Sequence, residues 1–196
     1  NESGSFATSP CTLTGSGASS SCSVSYTPSA VGTGSHLITA TYSGDTYFHS
    51  SSGSQTVSVN RKAASVTSNA ASKVYGSADP ALTGTLAGFL PADNVTATYS
   101  RTPGETVLGS PYTISATLSP VGVLSNYTIT YNTASFTITP KAASVTPNAA
   151  SKVYGSADPS LTGTLAGFLP ADNVTATYSR TPGETVLGSP YTISAT

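Results

Sequence analysis

The sequence predicts an all-β chain of small tandem modules, β-sandwich or β-grasp-like, arranged as beads on a string. Three observations lead there. Shifted by 79 positions the chain matches itself, Lys62–Thr117 on Lys141–Thr196, with only Ser68/Pro147 and Ala81/Ser160 differing. A period that long lets each copy bury a small core of its own, which the roughly 20–45-residue unit of a stacked solenoid does not do. Within each copy apolar residues alternate with hydroxyl residues at period two, and Pro, Gly, Asn and Asp cluster between the alternating runs.

The elements follow in chain order. Residues 1–61 read as the back part of one module, with strands near Cys11–Thr14, Cys22–Thr27, Leu37–Ser43 and Gln55–Val59. Residues 62–140 are a whole module and 141–196 the front part of another. In the whole module, Ala63–Thr67 and Leu82–Phe89 supply strands, and a short helical turn fits Gly88–Asp93. Val95, Ala97 and Tyr99 alternate with Thr96, Thr98 and Ser100; Tyr112, Ile114, Ala116 and Leu118 alternate with Thr113, Ser115, Thr117 and Ser119. Tyr127, Ile129 and Tyr131, then Phe136 and Ile138, continue the pattern. Pro91–Asn94, Thr102–Glu105 and Gly109–Pro111 are the turns between them.

Composition narrows the function classes. Only 8% of the 196 residues are charged and the net charge is -1, against about 25% charged residues in ordinary domains. Nothing in that balance collects phosphates, so nucleic acid is not an expected partner. No apolar run reaches the length of a membrane-spanning helix, so this segment is not expected to insert in a membrane. Asn1 is not a natural start and no signal peptide opens the chain, which reads as part of a longer polypeptide. Cys11 and Cys22 fall on the same side of their alternations, so a hairpin would set them side by side facing the core. They pair as a disulfide, worth roughly 3 kcal/mol on the loop-entropy estimate, or remain as buried thiols.

The whole module carries Lys73-Val74-Tyr75-Gly76, Asp79-Pro80, Leu82-Thr83, Gly88-Phe89, Ser100-Arg101 and Gly104-Glu105 in order. Gly109, Tyr112, Ile114, Asn126–Ile129 and Phe136–Lys141 complete the series. On these residues it resembles the YGX-type MBG domain, a repeat of bacterial surface proteins and adhesins. The likeness covers 62–140 and all of 141–196, where Tyr154, Gly155, Asp158 and Pro159 repeat the signature of Tyr75, Gly76, Asp79 and Pro80. One departure is Leu90-Pro91-Ala92-Asp93-Asn94, where many relatives carry a Gly/Asn-Gly-Asp loop. The first module, through CTLTGSG, SCSVSYTPSAVGTGSHLITATYSGD and SGSQTVSV, is similar to bacterial Ig-like repeats. These resemblances imply an extracellular or cell-surface protein whose modules act as a non-catalytic spacer, an adhesin-like stalk, with neighbouring repeats as partners. The alternatives are a module that itself binds an extracellular glycan or protein, and an accessory region of a secreted enzyme.

Motifs for catalysis or cofactors are missing: no Gly-x-Ser-x-Gly elbow, Walker loop, HExxH or paired CxxC. No enzyme activity, cofactor or metal is expected. His36 and His49 are the side chains suited to neutral-pH base work, and both read as ordinary strand and loop residues. Asp79, Asp93, Glu105, Lys73 and Arg101 recur as Asp158, Asp172, Glu184, Lys152 and Arg180. Two carboxylates could form a hydrolase pair, or three could gather calcium. An enzyme has little need of two near-identical sites in tandem, and structural roles explain each position: Asp79 bonding local backbone before Pro80, Asp93 in a turn, Arg101 paired with Glu105. Tyr75 is expected to anchor in its own core and Gly76 to allow a sharp turn. Tyr47, Phe48 and His49 form the most distinctive loop, able to stack on a sugar or to tuck under the sheet edge. Asn94, Asn126 and Asn173 open glycosylation sequons that a turn Asn before a Thr-rich strand creates by chance.

Residues 141–196 contain no counterpart of Leu118–Pro140, so their sheet is expected to keep unpaired edges. Expressed by themselves, they should be unstable or aggregate. A cooperative, monomeric thermal melt of that fragment would refute this.

Overall fold

A computed structural model describes residues 3–15 and 18–196. The fold is all-β. Strands β1 (Gly4–Phe6), β2 (Tyr26–Pro28), β3 (Ser35–Tyr42) and β4 (Ser51–Ser58) come before the first repeat. That repeat contributes β5 (Lys62–Ser68), β6 (Ala71–Val74), β7 (Gly84–Ala87), β8 (Thr96–Arg101) and β9 (Tyr112–Ser119). A one-turn helix α1 (Val121–Leu124) precedes β10 (Tyr127–Asn132) and β11 (Ala134–Thr139). The second repeat has β12 (Ser144–Pro147), β13 (Gly163–Ala166), β14 (Tyr178–Arg180) and β15 (Ile193–Ala195). By compactness the chain divides into one unit of residues 1–70, 82–102 and 113–135 and another of 71–81, 103–112 and 136–196.

In the first unit, β1 and β2 pair antiparallel, with the Phe6 and Tyr26 rings 5.1 Å apart. The strands expected at Cys11–Thr14 and Cys22–Thr27 reduce to one bridge, Thr14–Ser21, and to β2 itself. Cys11 and Cys22 are disulfide-bonded with Cα atoms 6.0 Å apart. Contrary to the expectation from alternation, they do not face a core: Cys22 is exposed and Cys11 half-buried. The sequence between them, rich in Gly and Ser, has little apolar surface with which to cover them. β3 and β4 form a long antiparallel hairpin from Ser35↔Ser58 to Tyr42↔Ser51. Beneath it His36 is buried, accepting at Nδ1 from the Tyr26 hydroxyl (2.6 Å) and donating from Nε2 to the Val31 carbonyl (3.1 Å). Both ring nitrogens serve packing.

The rest of this unit is built on β5. It pairs antiparallel with β7 and parallel with β10, from Tyr127↔Lys62 to Asn132↔Thr67. β8 pairs antiparallel with β9. Burial follows the alternation: Ile114 and Leu118 of β9 are buried while Thr113, Ser115, Thr117 and Ser119 are exposed. Ala64, Val66 and Tyr127 complete the buried apolar residues here. In the second unit β6 runs parallel to β11, from Phe136↔Ala71 to Thr139↔Val74. This continues the register of β5 on β10. Phe136 and Ile138 are buried. β12 pairs antiparallel with β13, and β14 with β15.

The two repeats supply their own control. Ala71–Val74 and Ala150–Val153 are the same four residues, yet only the first are a strand. The first pairs with β11, whereas among the described residues Ala150–Val153 pair with no strand. Likewise Val66 is 1% exposed and Val145 37%.

Gly84 shows how close the packing is. A Cβ placed there would lie 2.3 Å from the Thr67 carbonyl oxygen and 2.4 Å from the Tyr99 ring. Backbone cannot withdraw without opening the β5–β7 pair, so Gly84→Ala should destabilise the chain by about 1–3 kcal/mol. Its denaturant midpoint, compared with wild type, checks this.

Candidate functional site

The segment that recurs most closely builds the site. Val74–Ser77 is a four-residue turn closed by the Ser77 N–H on the Val74 carbonyl (3.0 Å). Gly76 takes φ +80°, the sign a type II turn demands at its third residue and one that glycine adopts without cost. The second copy matches, with Ser156 N–H on Val153 (3.0 Å) and Gly155 at φ +83°. β6 leads into the first turn and sets Lys73 at its end.

Lys73 is the centre of an ion cluster. Its side chain is 5% exposed and its Nζ lies 2.7 Å from Asp79 Oδ1, with Glu105 on its other side. Asp79 therefore does more than bond local backbone. In the second repeat Lys152 meets Asp158 (2.7 Å) and Glu184. Arg180 grips Asp158 with two nitrogens, Nε at 2.8 Å and Nη2 at 3.0 Å, and also pairs with Glu184. Its Nη1 donates to the carbonyls of Thr181 (3.0 Å) and Gly183 (2.7 Å), and its guanidinium sits 5.4 Å from the centre of the Tyr191 ring. The Arg–Glu pairing expected within the Arg-Thr-Pro-Gly-Glu loop is thus present in the second copy, as one edge of a larger network.

The protonation equilibria follow from this geometry. Arg180, then Lys152, hold the Asp158 carboxyl down at about 2, and Lys152 and Arg180 hold Glu184 below the usual carboxylate range. Asp158, then Glu184, raise Lys152 above the ordinary lysine value; Asp79, then Glu105, do so for Lys73. These directions are opposite to those of acid–base catalysis, which needs carboxyls raised or lysines lowered toward the working pH. Two cations and two carboxylates neutralise one another. The cavity they line with Tyr154 and Tyr191 holds about 250 Å³, under the usual range of small-molecule sites.

Two further polar positions were not anticipated. Tyr127, buried, accepts from the Leu90 N–H at 2.9 Å and donates to Asp93. It thereby fixes the Leu90–Asp93 turn, whose residues Pro91–Asp93 form the short 3₁₀ turn expected near there. Tyr75 does not anchor in its own core: its hydroxyl donates to Asp172 Oδ1 of the second repeat at 2.7 Å. The only sequence trace of these pairings is that each tyrosine and aspartate sits in a repeated or signature segment.

Tyr47, Phe48 and His49 lie between β3 and β4, and the structure leaves them in solvent instead of under an edge. Tyr47 is 87% and Phe48 69% exposed. Asp45 holds the loop, accepting from the Tyr47 and Phe48 N–H groups at 2.8 Å each. Pro80 and Pro159 are exposed. Among the described residues, no group of three His, Cys, Asp or Glu converges as metal ligands.

The pH response of the cluster can be signed. Asp158 has a folded value of about 2, below its ordinary 3.8. Its contribution to stability is therefore complete above about pH 4 and drains away as pH falls through about 2. Lys152 is shifted the other way, above 10.5, so its contribution is complete below that value and is lost as pH rises past it. Asp158→Asn should lower the thermal midpoint at pH 7 and flatten the acid limb. Because Asp158 is 42% exposed, added salt should shrink the difference. Melts across pH and salt check this.

No curated protein and no solved structure matches this chain. The profile of the MBG domain (YGX type) matches residues 64–137 and again 143–196, and with both repeats and their shared turn and ion cluster in view, the chain belongs to that family.

Proposed function

We propose that this chain is a non-catalytic spacer region of a secreted or cell-surface bacterial protein, an adhesin-like stalk of modules 1–61, 62–140 and 141–196. The observation that carries this reading is the tandem recurrence of one MBG module whose charged side chains are engaged with each other. Spacers need folded length and solubility, not a reactive centre. The hydroxyl-faced strands supply solubility without charge, and junctions such as Val59–Lys62 and Thr139–Lys141 are short. Among the described residues no helix is long and apolar enough to cross a membrane.

A second reading has its own support. The exposed Tyr47–Phe48–His49 loop offers aromatic faces suited to an extracellular glycan or protein.

Small-angle scattering of the whole chain tests the spacer: an elongated particle is expected, and a compact one contradicts it. A glycan array tests the loop. If the loop binds sugar, Tyr47→Ala with Phe48→Ala should abolish the signal without moving the thermal midpoint.

A further inference from the structure

The signature turn of the first repeat is already docked. Besides the Tyr75–Asp172 hydrogen bond, Leu169 lies over Gly76: a Cβ at Gly76 would sit 2.6 Å from Leu169 Cδ1. Leu169 and Asp172 bound the Leu-Pro-Ala-Asp turn of the second repeat, which carries Asn173 in the left-handed region at φ 50°. So a Tyr-Gly turn of one repeat receives the Leu-Pro-Ala-Asp turn of the next. The corresponding Leu-Pro-Ala-Asp turn of the first repeat, Leu90–Asp93, likewise lies beside residues that precede the repeat. Leu90, Asp93 and Tyr127 share a cavity of about 140 Å³ with Ala30 and Val31, and the Val31 N–H donates to Asn126 Oδ1 at 2.9 Å. The two uses of the aspartate are compatible, since Tyr127 takes Asp93 Oδ2 while Tyr75 takes Asp172 Oδ1.

The second Tyr-Gly turn has the same sequence and the same backbone, but another environment. Tyr154 is 73% and Val153 75% exposed, and nothing lies within 4 Å of a Cβ built at Gly155. We propose that the Tyr-Gly turn and the Leu-Pro-Ala-Asp turn are the two halves of a repeat-to-repeat coupling, and that Tyr154–Gly155 is an interaction site for the Leu-Pro-Ala-Asp turn of a further copy of this repeat. The occupant is fixed by precedent inside the chain: an identical turn already holds that partner. Leucine covers the glycine, where any side chain would intrude, and the carboxylate accepts the phenol. The coupling is independent of what the array carries, so a compact scattering particle would leave it standing.

Tyrosine nitration by tetranitromethane reads the coupling on the full chain. Tryptic peptides 74–101 and 153–180 differ at Ala81/Ser160, so fragmentation assigns each site. Tyr154 should nitrate several-fold faster than Tyr75, whose phenol is held above its ordinary value by the Asp172 carboxylate. Asp172→Asn and Leu169→Ala should each bring Tyr75 toward the Tyr154 rate. Gly76→Ala should do so too, whereas Gly155→Ala, with equal backbone strain and no leucine to displace, should leave Tyr75 unchanged. Lengthening the chain by one whole period should slow Tyr154 to the rate of Tyr75. Equal rates in the unmodified chain, or a Tyr154 still fast in the lengthened one, overturn the proposal.

Discussion

The parallel clasp between 62–74 and 127–139 is the constraint on which the whole repeat depends. β5 and β6 open the repeat; β10 and β11 end it, β10 parallel to β5 in the first unit and β11 parallel to β6 in the second. The contact is long-range, so closing it carries the loop-closure entropy of the chain between. Its value shows where the sequence is repeated without it. The residues of β6 lose their strand, and the valine of β5 moves from buried to more than a third exposed. Strand propensity was the same in both places; the partner decided.

What survives without the clasp is also informative. The Tyr-Gly turn, the 3₁₀ turn at Pro170–Asp172 and the lysine-centred cluster all form in the second repeat. The two turns are local, fixed by glycine geometry and proline, whereas the cluster joins residues distant in sequence, Lys152 with Glu184 and Arg180 with Asp158. Lys152 is nevertheless more exposed than Lys73, 22% against 5% of its side chain. The cluster thus forms in both repeats but is drier around Lys73, where β6 pairs with β11. A repeat of this kind combines turns set by short-range information with pairings between its two ends.

The sequence was readable where periodicity speaks and mute where the third dimension does. β9 and β11 alternate in burial as their residues alternate in character. The 3₁₀ turn follows from Leu-Pro-Ala-Asp-Asn, and Asn94 takes the left-handed φ of 48° that asparagine tolerates. β6 was illegible because Ala-Ser-Lys-Val has no strong pattern and owes its strand to β11. The cysteines kept their bond but not a buried face. Tyr75 was misplaced because its hydroxyl partner lies in the other repeat, which no alternation reveals.

The parallel sense of the clasp has a mechanical meaning. Within the first unit Lys62 and Asn132 lie at opposite ends of β5 and β10, which pair and run the same way. Tension between them slides one strand along the other and loads the ladder of hydrogen bonds together, in shear. An antiparallel closure with both ends on one side would instead peel them apart singly. The direction of two strands thus sets how the repeat yields when pulled.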